Sequence, residues 1–405
     1  MPHLLGSWLP YHQALAVAAA IIGIGVAMAL FFLSQRGATQ PDPAVSASEG
    51  VKLGTDNILP ILAIGASAAA LAGFVFILKA STPIWDDGAL VLSNRLPITL
   101  ASALKPYHEH LNLVPIAIWA LLDWLFGSST WTFLAVLLLT HFALATGTAA
   151  LLVARLGNVA GFALVLPLAL LGSAHYDILM PYQIVFTIPL LCGLIAVWLS
   201  IPRDRALRRR IGVAGALLIG ILTSDVALFV ILAMGIWFLL DGRWRQIGDL
   251  LPAMAVWFAW FVTIGRNGLN DGWHSATVGA IIPYTLTGIA SGIGGLAGLS
   301  PTFGGLFLVA GLVVVVVRRW RPGPAYIAFA IALVAMFATG SLFRSYGSAN
   351  QATANRYIYL VGYILVFAMA TAAPKIAHPW RLVPVAIVAS VLNLIAFAIA
   401  LPGYP

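Results

Sequence analysis

Residues 183–241 read "QIVFTIPLLCGLIAVWLSIPRDRALRRRIGVAGALLIGILTSDVALFVILAMGIWFLLD". Three apolar runs are separated first by a loop carrying five arginines and then by the tight turn "LTSDV". Runs of this length match the hydrocarbon thickness of a bilayer, with the shorter ones suited to helices buried among others. In lipid, a chain that is not a closed barrel must satisfy its backbone within helices. The stretch therefore predicts three membrane helices.

The same reading extends along the chain. Of its 405 residues 61% are hydrophobic and 8% charged, and the mean hydropathy is +0.99. A soluble domain of this size has far more polar surface to clothe. Candidate spans are 11–34, 57–79, 131–154, 158–173, 183–200, 211–223, 225–241, 248–265, 303–318, 324–343, 357–374 and 382–401. The expected fold is an all-α polytopic membrane protein of about 12 transmembrane helices, forming one domain over 1–405. No internal repeat stands out, and no soluble C-terminal domain is expected. Residues 11–34 are too long for a signal-peptide core and lack a short basic front.

Basic residues give the sidedness. If "IPRDRALRRR" (201–210) is cytoplasmic, alternation also places "DGRWRQ" (241–246), "RRWRPG" (318–323), "PKIAHPWR" (374–381), Arg36, Lys52 and Arg155 inside. Most of the 21 Lys and Arg residues are then on one side. This works only if 112–127 does not cross, and 279–299 is short and glycine-rich. "NLVPIAIWALLDWLFG" is then an interfacial helix, with Trp119, Asp123 and Trp124 suited to a headgroup region. The glycine-rich 279–299 becomes an outer hairpin or re-entrant segment buried against protein. Three outer loops result: 80–130, 266–302 and 344–356. The longer cytoplasmic stretch 34–57 reads as a flexible linker. A sequence pI of 9.8 does not imply nucleic acid, because the cations are scattered between spans. The single cysteine, Cys192, lies in an apolar run and reads as a small buried hydrophobe.

Chemistry gathers in the outer loops. Asp86 and Asp87 are adjacent beside a span end, where like charge and desolvation call for a metal, an arginine or a proton shared with substrate. The alternative is the capped start of a surface helix. His108, Glu109 and His110 follow; in an extended segment the imidazoles share one face and the glutamate takes the other. They could bind hydroxyls, move protons or hold a cation, or form only a polar turn. In "FRSYGSANQATANRYIYL" (343–360), Arg344 and Arg356 offer forks suited to phosphate oxygens, with Tyr357 and Tyr359 alongside. The alternative is an Arg-Tyr anchor at a helix end. His175, Asp177, Tyr182, Gln183, Asp225, Arg266, Asn270, Asp271 and His274 read as solvated loop residues or caps, and His141 as a hydrogen-bonded bundle histidine.

An acidic pair opening a large first outer loop, "YHEH" (107–110), an interfacial helix ending "LFGSSTW" (125–131), a span closing in "ARLG" (154–157) and a late loop ending "RYIY" (356–359) come in this order. The layout resembles the GT-C superfamily of integral-membrane glycosyltransferases, including protein O-mannosyltransferases and aminoarabinose transferases. "YHEH" is similar to the "HNEH" motif of some members. The likeness is best over 57–156 and next over 344–360, and the middle matches in topology alone.

The resemblance implies a GT-C-like bundle in a bacterial plasma membrane, with its site facing outside. It implies transfer of a sugar from a polyprenyl-phosphate donor to a hydroxyl of a lipid-linked or cell-envelope glycan acceptor, among membrane lipids. Asp86 or Asp87 would be the base and Arg356, with Arg344, the phosphate contact. His108, Glu109, His110 and Tyr357 would line the substrate pocket. Some members need a divalent metal such as Mg or Mn, which would fall at Asp86, Asp87 and Glu109. Relatives often have Asp-Glu where this chain has Asp-Asp. The rival reading is a transporter or flippase of lipid-linked sugars, which calls for ionisable groups near the bilayer midplane.

Overall fold

The structure is a computed structural model that describes residues 57–79, 98–107, 110–127, 130–203, 206–268, 278–344, 349–372 and 376–400. The candidate span 11–34, the 34–57 linker, Asp86, Asp87, His108, Glu109, Asn270, Asp271 and His274 lie outside the described residues. What is described is helical throughout, apart from turns, loops and one isolated bridge between Tyr107 and His110.

In chain order the helices are α1 (Ile58–Lys79), α2 (Leu100–Leu104), α3 (Leu113–Phe126), α4 (Thr130–Leu156), α5 (Asn158–Ala169), α6 (Tyr176–Leu179), α7 (Ile184–Ser200) and α8 (Leu207–Thr223). They continue as α9 (Val226–Leu240), α10 (Leu251–Thr263), α11 (Val278–Leu296), α12 (Pro301–Val317), α13 (Pro324–Arg344), α14 (Asn355–Ala372) and α15 (Leu382–Ala400). Among the described residues, 6 helical stretches are long and apolar enough to cross a membrane: Trp131–Leu156, Pro181–Ser200, Gly279–Leu296, Pro324–Leu342, Asn355–Ala372 and Pro379–Ala400. The chain is an integral membrane protein.

Burial explains which helices lie where. α7 and α14 are apolar on every side and buried along almost their whole length, as helices must be at the centre of a bundle. α12 is the opposite case: Leu306, Val309, Leu312, Val313, Val316 and Val317 are all exposed. An apolar face of that size is a liability in water and the natural surface toward lipid.

The arginine-rich loops converge on one end. Arg203 Nη2 donates to Asp241 at 3.0 Å and Arg210 Nε to Asp249 at 2.9 Å, tying the loop before α8 to the loop after α9. Arg243 donates to the carbonyl of Ser200, and its guanidinium sits 4.9 Å from the Trp237 and Phe238 ring centres. Arg155 Nε donates to the Ala370 carbonyl at 3.0 Å, joining the ends of α4 and α14. These contacts place the ends grouped as cytoplasmic by charge together.

The segment 279–299 differs from its expectation. It is one continuous helix, α11, rather than a hairpin. Its length would let it span, yet its neighbours put both of its ends toward one end of the bundle. Tyr284 lies against Gly340 and Gly288 against Phe337, near the finish of α13; Gly292 meets Val361 and Gly295 meets Ile358, near the start of α14. α12 then crosses it where Gly304 faces Ala290 and Gly294, so closely that a Cβ on Gly304 would collide with the Ala290 carbonyl.

α3 also departs in detail. Trp119 is not an interfacial residue: it is fully buried, with ring centroids 5.8 Å from Tyr182 and 6.3 Å from Phe133. Leu121, Trp124, Leu125 and Phe126 make the exposed apolar side. The spacing of Pro115, Ile116 and Trp119 turns that one face inward. Cys192 is buried and free, as its apolar run indicates.

Candidate functional site

The end opposite the arginine loops carries the candidate site. Its parts are the segment before α3, the short helix α6, the α8–α9 turn and the start of α14.

The segment before α3 is fixed by two long-range bonds. Helix α2 is closed by a reciprocal capping box, in which Thr99 and Ser102 bond each other's backbone N–H groups. Trp260 Nε1 then donates to the Leu104 carbonyl at 2.8 Å, pinning α2 to α10. Next the chain reverses: Tyr107 N–H donates to the His110 carbonyl at 3.2 Å and His110 N–H to the Tyr107 carbonyl at 3.1 Å. Tyr107 and His110 thus face each other as a backbone pair, and the alternation expected for His108 and Glu109 lies outside the described residues. His110 Nδ1 is hydrogen-bonded and ion-paired to Asp225 Oδ1 in the α8–α9 turn. Asp225 stands at the N-cap of α9 but makes no side-chain cap bond there.

Asp177 is the clearest departure from expectation. Its place in a loop suggests a solvated residue, but it is fully buried in α6, and neither carboxylate oxygen has a hydrogen-bond partner among the described residues. Burial pushes its pKa well above the usual carboxylate range, while the Arg356 charge acts against that shift. Tyr182 and Gln183 are buried as well. A sequence signal existed: Asp177 precedes "ILMPY", an apolar run that continues into α7.

Arg356 opens α14. It is partly buried, its guanidinium lies 5.5 Å from the Tyr357 ring centre, and its buried Nε has no hydrogen-bond partner among the described residues. Tyr357 packs edge-on against Phe337, ring centroids 5.5 Å apart, and is itself buried. Its ring supports the guanidinium from the protein side. Arg344 ends α13, and its side chain lies outside the described residues. Arg266 is exposed, in the 3₁₀ turn Gly265–Gly268.

His141 is the expected bundle histidine. Its Nδ1 pairs with Tyr359 Oη at 2.8 Å and its Nε2 with the Ala169 carbonyl at 3.3 Å. It is mid-span along α4, yet its partners lie in the first turn or so of α14 and at the end of α5. His141 thus links α4 to the candidate-site end of α14.

Of the sequence-derived site residues, the structure thus brings His110 to Asp225, and Arg356 with Tyr357 to Asp177. Among the described residues no group of three His, Cys, Asp or Glu is placed to hold a metal ion. Asp86, Asp87 and Glu109, the candidate metal ligands, are outside them. The sequence matches no protein-family model, no curated protein and no solved structure.

Proposed function

We propose that this protein is a membrane glycosyltransferase that moves a sugar from a polyprenyl-phosphate donor to a hydroxyl acceptor at the membrane surface opposite the arginine-rich loops. The observation that carries the reading is Arg356. A guanidinium in a partly buried site, with Nε unpartnered among the described residues and a neighbouring carboxyl that burial shifts toward its protonated form, keeps charge and donors for a ligand. A phosphate oxygen pair fits that fork.

In this reading the donor phosphate sits on Arg356, whose charge stabilises the negative charge that grows on the phosphate as the anomeric bond breaks. Asp86 or Asp87 takes the proton from the acceptor hydroxyl as its oxygen attacks the anomeric carbon. One displacement inverts that centre. His110, held by Asp225, anchors the segment before α3 at this end of the bundle, and His108 and Glu109 line the sugar or acceptor in this reading. The GT-C likeness of the sequence and its bundle of about 12 spans belong to the same reading.

The test is sugar transfer in liposomes from a panel of radiolabelled polyprenyl-phosphate sugars into a membrane-lipid extract. Transfer by the wild type, abolished in Arg356→Ala and in Asp86→Asn or Asp87→Asn with the protein still folded, supports the enzyme and names its base. Movement of donor lipid across the liposome membrane with no transfer from any donor replaces it with a flippase.

A further inference from the structure

A cavity of about 330 Å³ lies at the same end, between the α5–α6 segment, the α11–α12 turn, the start of α14 and the end of α15. Its polar lining includes Ser173, His175, Ser291, Thr353 and Asn355, and among the described residues that line it none is an acid, a lysine or an arginine.

The walls are built rather than accidental. Ser173 Oγ donates to the Gly295 carbonyl at 2.6 Å, and Asn393 Nδ2 donates to the Leu296 carbonyl at 3.0 Å. These are orphan acceptors at the end of α11, which a helix cannot satisfy internally. Asn393 Oδ1 accepts from the Ser173 N–H at 3.1 Å, closing the joint. The turn that follows passes Gly298, whose φ of +67° and contact with Leu392 leave no room for a side chain.

The open groups are neutral. His175 lies 3.3 Å by Nδ1 from the Gly172 carbonyl and 2.8 Å by Nε2 from the Asn355 amide nitrogen. That pattern fits the neutral ring with its proton on Nδ1, and burial lowers the His175 pKa in the same direction. Asn355 spends one amide donor on His175 and keeps a second donor and its carbonyl. Ser291 is 5% exposed, lines the cavity and makes no hydrogen bond to a described residue. Its hydroxyl can give and take a hydrogen bond with a ligand in the cavity.

We propose that this cavity seats one uncharged, polyhydroxylated ring, a single pyranose. Mixed neutral donors and acceptors suit hydroxyl groups, which both give and take hydrogen bonds. A carboxylate or ammonium would enter with no countercharge in the lining and pay its desolvation unaided. The volume is at the small end of ligand pockets, enough for one ring and not for a chain. Only the source of the sugar, donor or acceptor, rests on the glycosyl-transfer reading.

The experiment is saturation-transfer NMR on the full chain in a detergent without a sugar headgroup. The probes are methyl glucoside and methyl mannoside, beside methyl glucuronide and glucosamine. Neutral glycosides bind the wild type, and the charged probes bind about tenfold more weakly or less. Asn355→Ala and the milder Ser291→Ala each weaken the neutral probes several-fold, and the cavity-filling Ser291→Leu abolishes their binding. Equal binding of charged and neutral sugars, no binding by the wild type, or binding unchanged in all three variants overturns the proposal. The transfer assay separates the two readings. A raised KM for the donor in these variants places the donor sugar here, and a raised KM for the acceptor places the acceptor. Transfer with both KM values unchanged removes the cavity from the reaction. Glycoside binding that follows the variants in a protein with no transferase activity leaves the cavity standing and removes the enzyme.

Discussion

The two ends of the bundle treat charge in opposite ways. At the arginine-rich end several guanidiniums tie loops together: Arg203 to Asp241, Arg210 to Asp249, Arg243 to the Ser200 carbonyl and Arg155 to the Ala370 carbonyl, although Arg243 Nε and Gln246 Oε1 are buried there without partners among the described residues. At the other end Arg356 Nε and both oxygens of Asp177 are buried without hydrogen-bond partners among the described residues. Paired charge holds loops together. Buried polar groups left unpaired cost stability, and a fold that carries them has a use for them. Arg243 is still held through its other nitrogens by the Ser200 carbonyl, whereas among the described residues Arg356 has no hydrogen-bond partner, and that difference points to the end poorer in arginine.

The sharpest way to break the comparison is to remove one arginine from each end. Arg356→Ala is expected to lower kcat by about 10²–10³, the scale for losing one group that stabilises charge in a transition state. Arg210→Ala should leave kcat within about twofold while costing stability, about 1–3 kcal/mol, because it leaves the Asp249 carboxylate, only 8% exposed, without its partner. Equal losses of activity would erase the functional difference between the ends.

Asp177 gives the next effect, and it depends on pH. Its folded pKa is raised, so the folded chain holds a proton that the unfolded chain releases near its ordinary value of about 3.9. Stability therefore declines as pH rises above that value. Deprotonation in the folded state would also supply Arg356 with a countercharge and weaken phosphate binding. Tyr359 and Arg356 are the ionisable neighbours that Asp177 feels. With Asp177→Asn, which stays neutral, KM for the donor should lose its rise on the alkaline side and kcat at pH 7 should stay within about threefold. Donor KM profiles against pH for the two proteins check this, and identical profiles would exclude Asp177 as the titrating group.

Much of this contrast was legible in the sequence. The loops "IPRDRALRRR", "DGRWRQ" and "RRWRPG" group at one end because cations at helix ends follow alternation through the membrane, a pattern of order alone. Arg356 stood out because it is one of few cations away from those loops. Asp177 did not, because burial of a loop residue depends on what α4 and α14 bring over it, and chain-local pattern carries no such information. Trp119 failed for the same reason: an aromatic near an interface and one stacked on Tyr182 have the same neighbours in sequence. The α11 segment was not legible as one helix, since the close crossing at Gly304 that its glycines permit is a tertiary contact. His110 could be singled out, whereas its partner lies 115 residues away.

That long-range pair supplies the smallest effect and the finest test. His110 and Asp225 are 13% and 26% exposed at their side chains, more sheltered than Arg203, which is 74% exposed in its pair with Asp241. Partial desolvation strengthens a charge-assisted bond, and exposure weakens it through solvent and salt. A double-mutant cycle on His110→Ala and Asp225→Ala, read by thermal melting in detergent, should give a coupling of about 1 kcal/mol. The cycle on Arg203→Ala and Asp241→Ala should give about 0.3 kcal/mol and fade in high salt. Donor KM should move with the first cycle, because the segment before α3 is anchored through His110, and stay fixed in the second. If both cycles changed melting and left KM untouched, the bond from His110 to Asp225 would be one more structural clamp, and the charge pairing of the two ends would differ only in number.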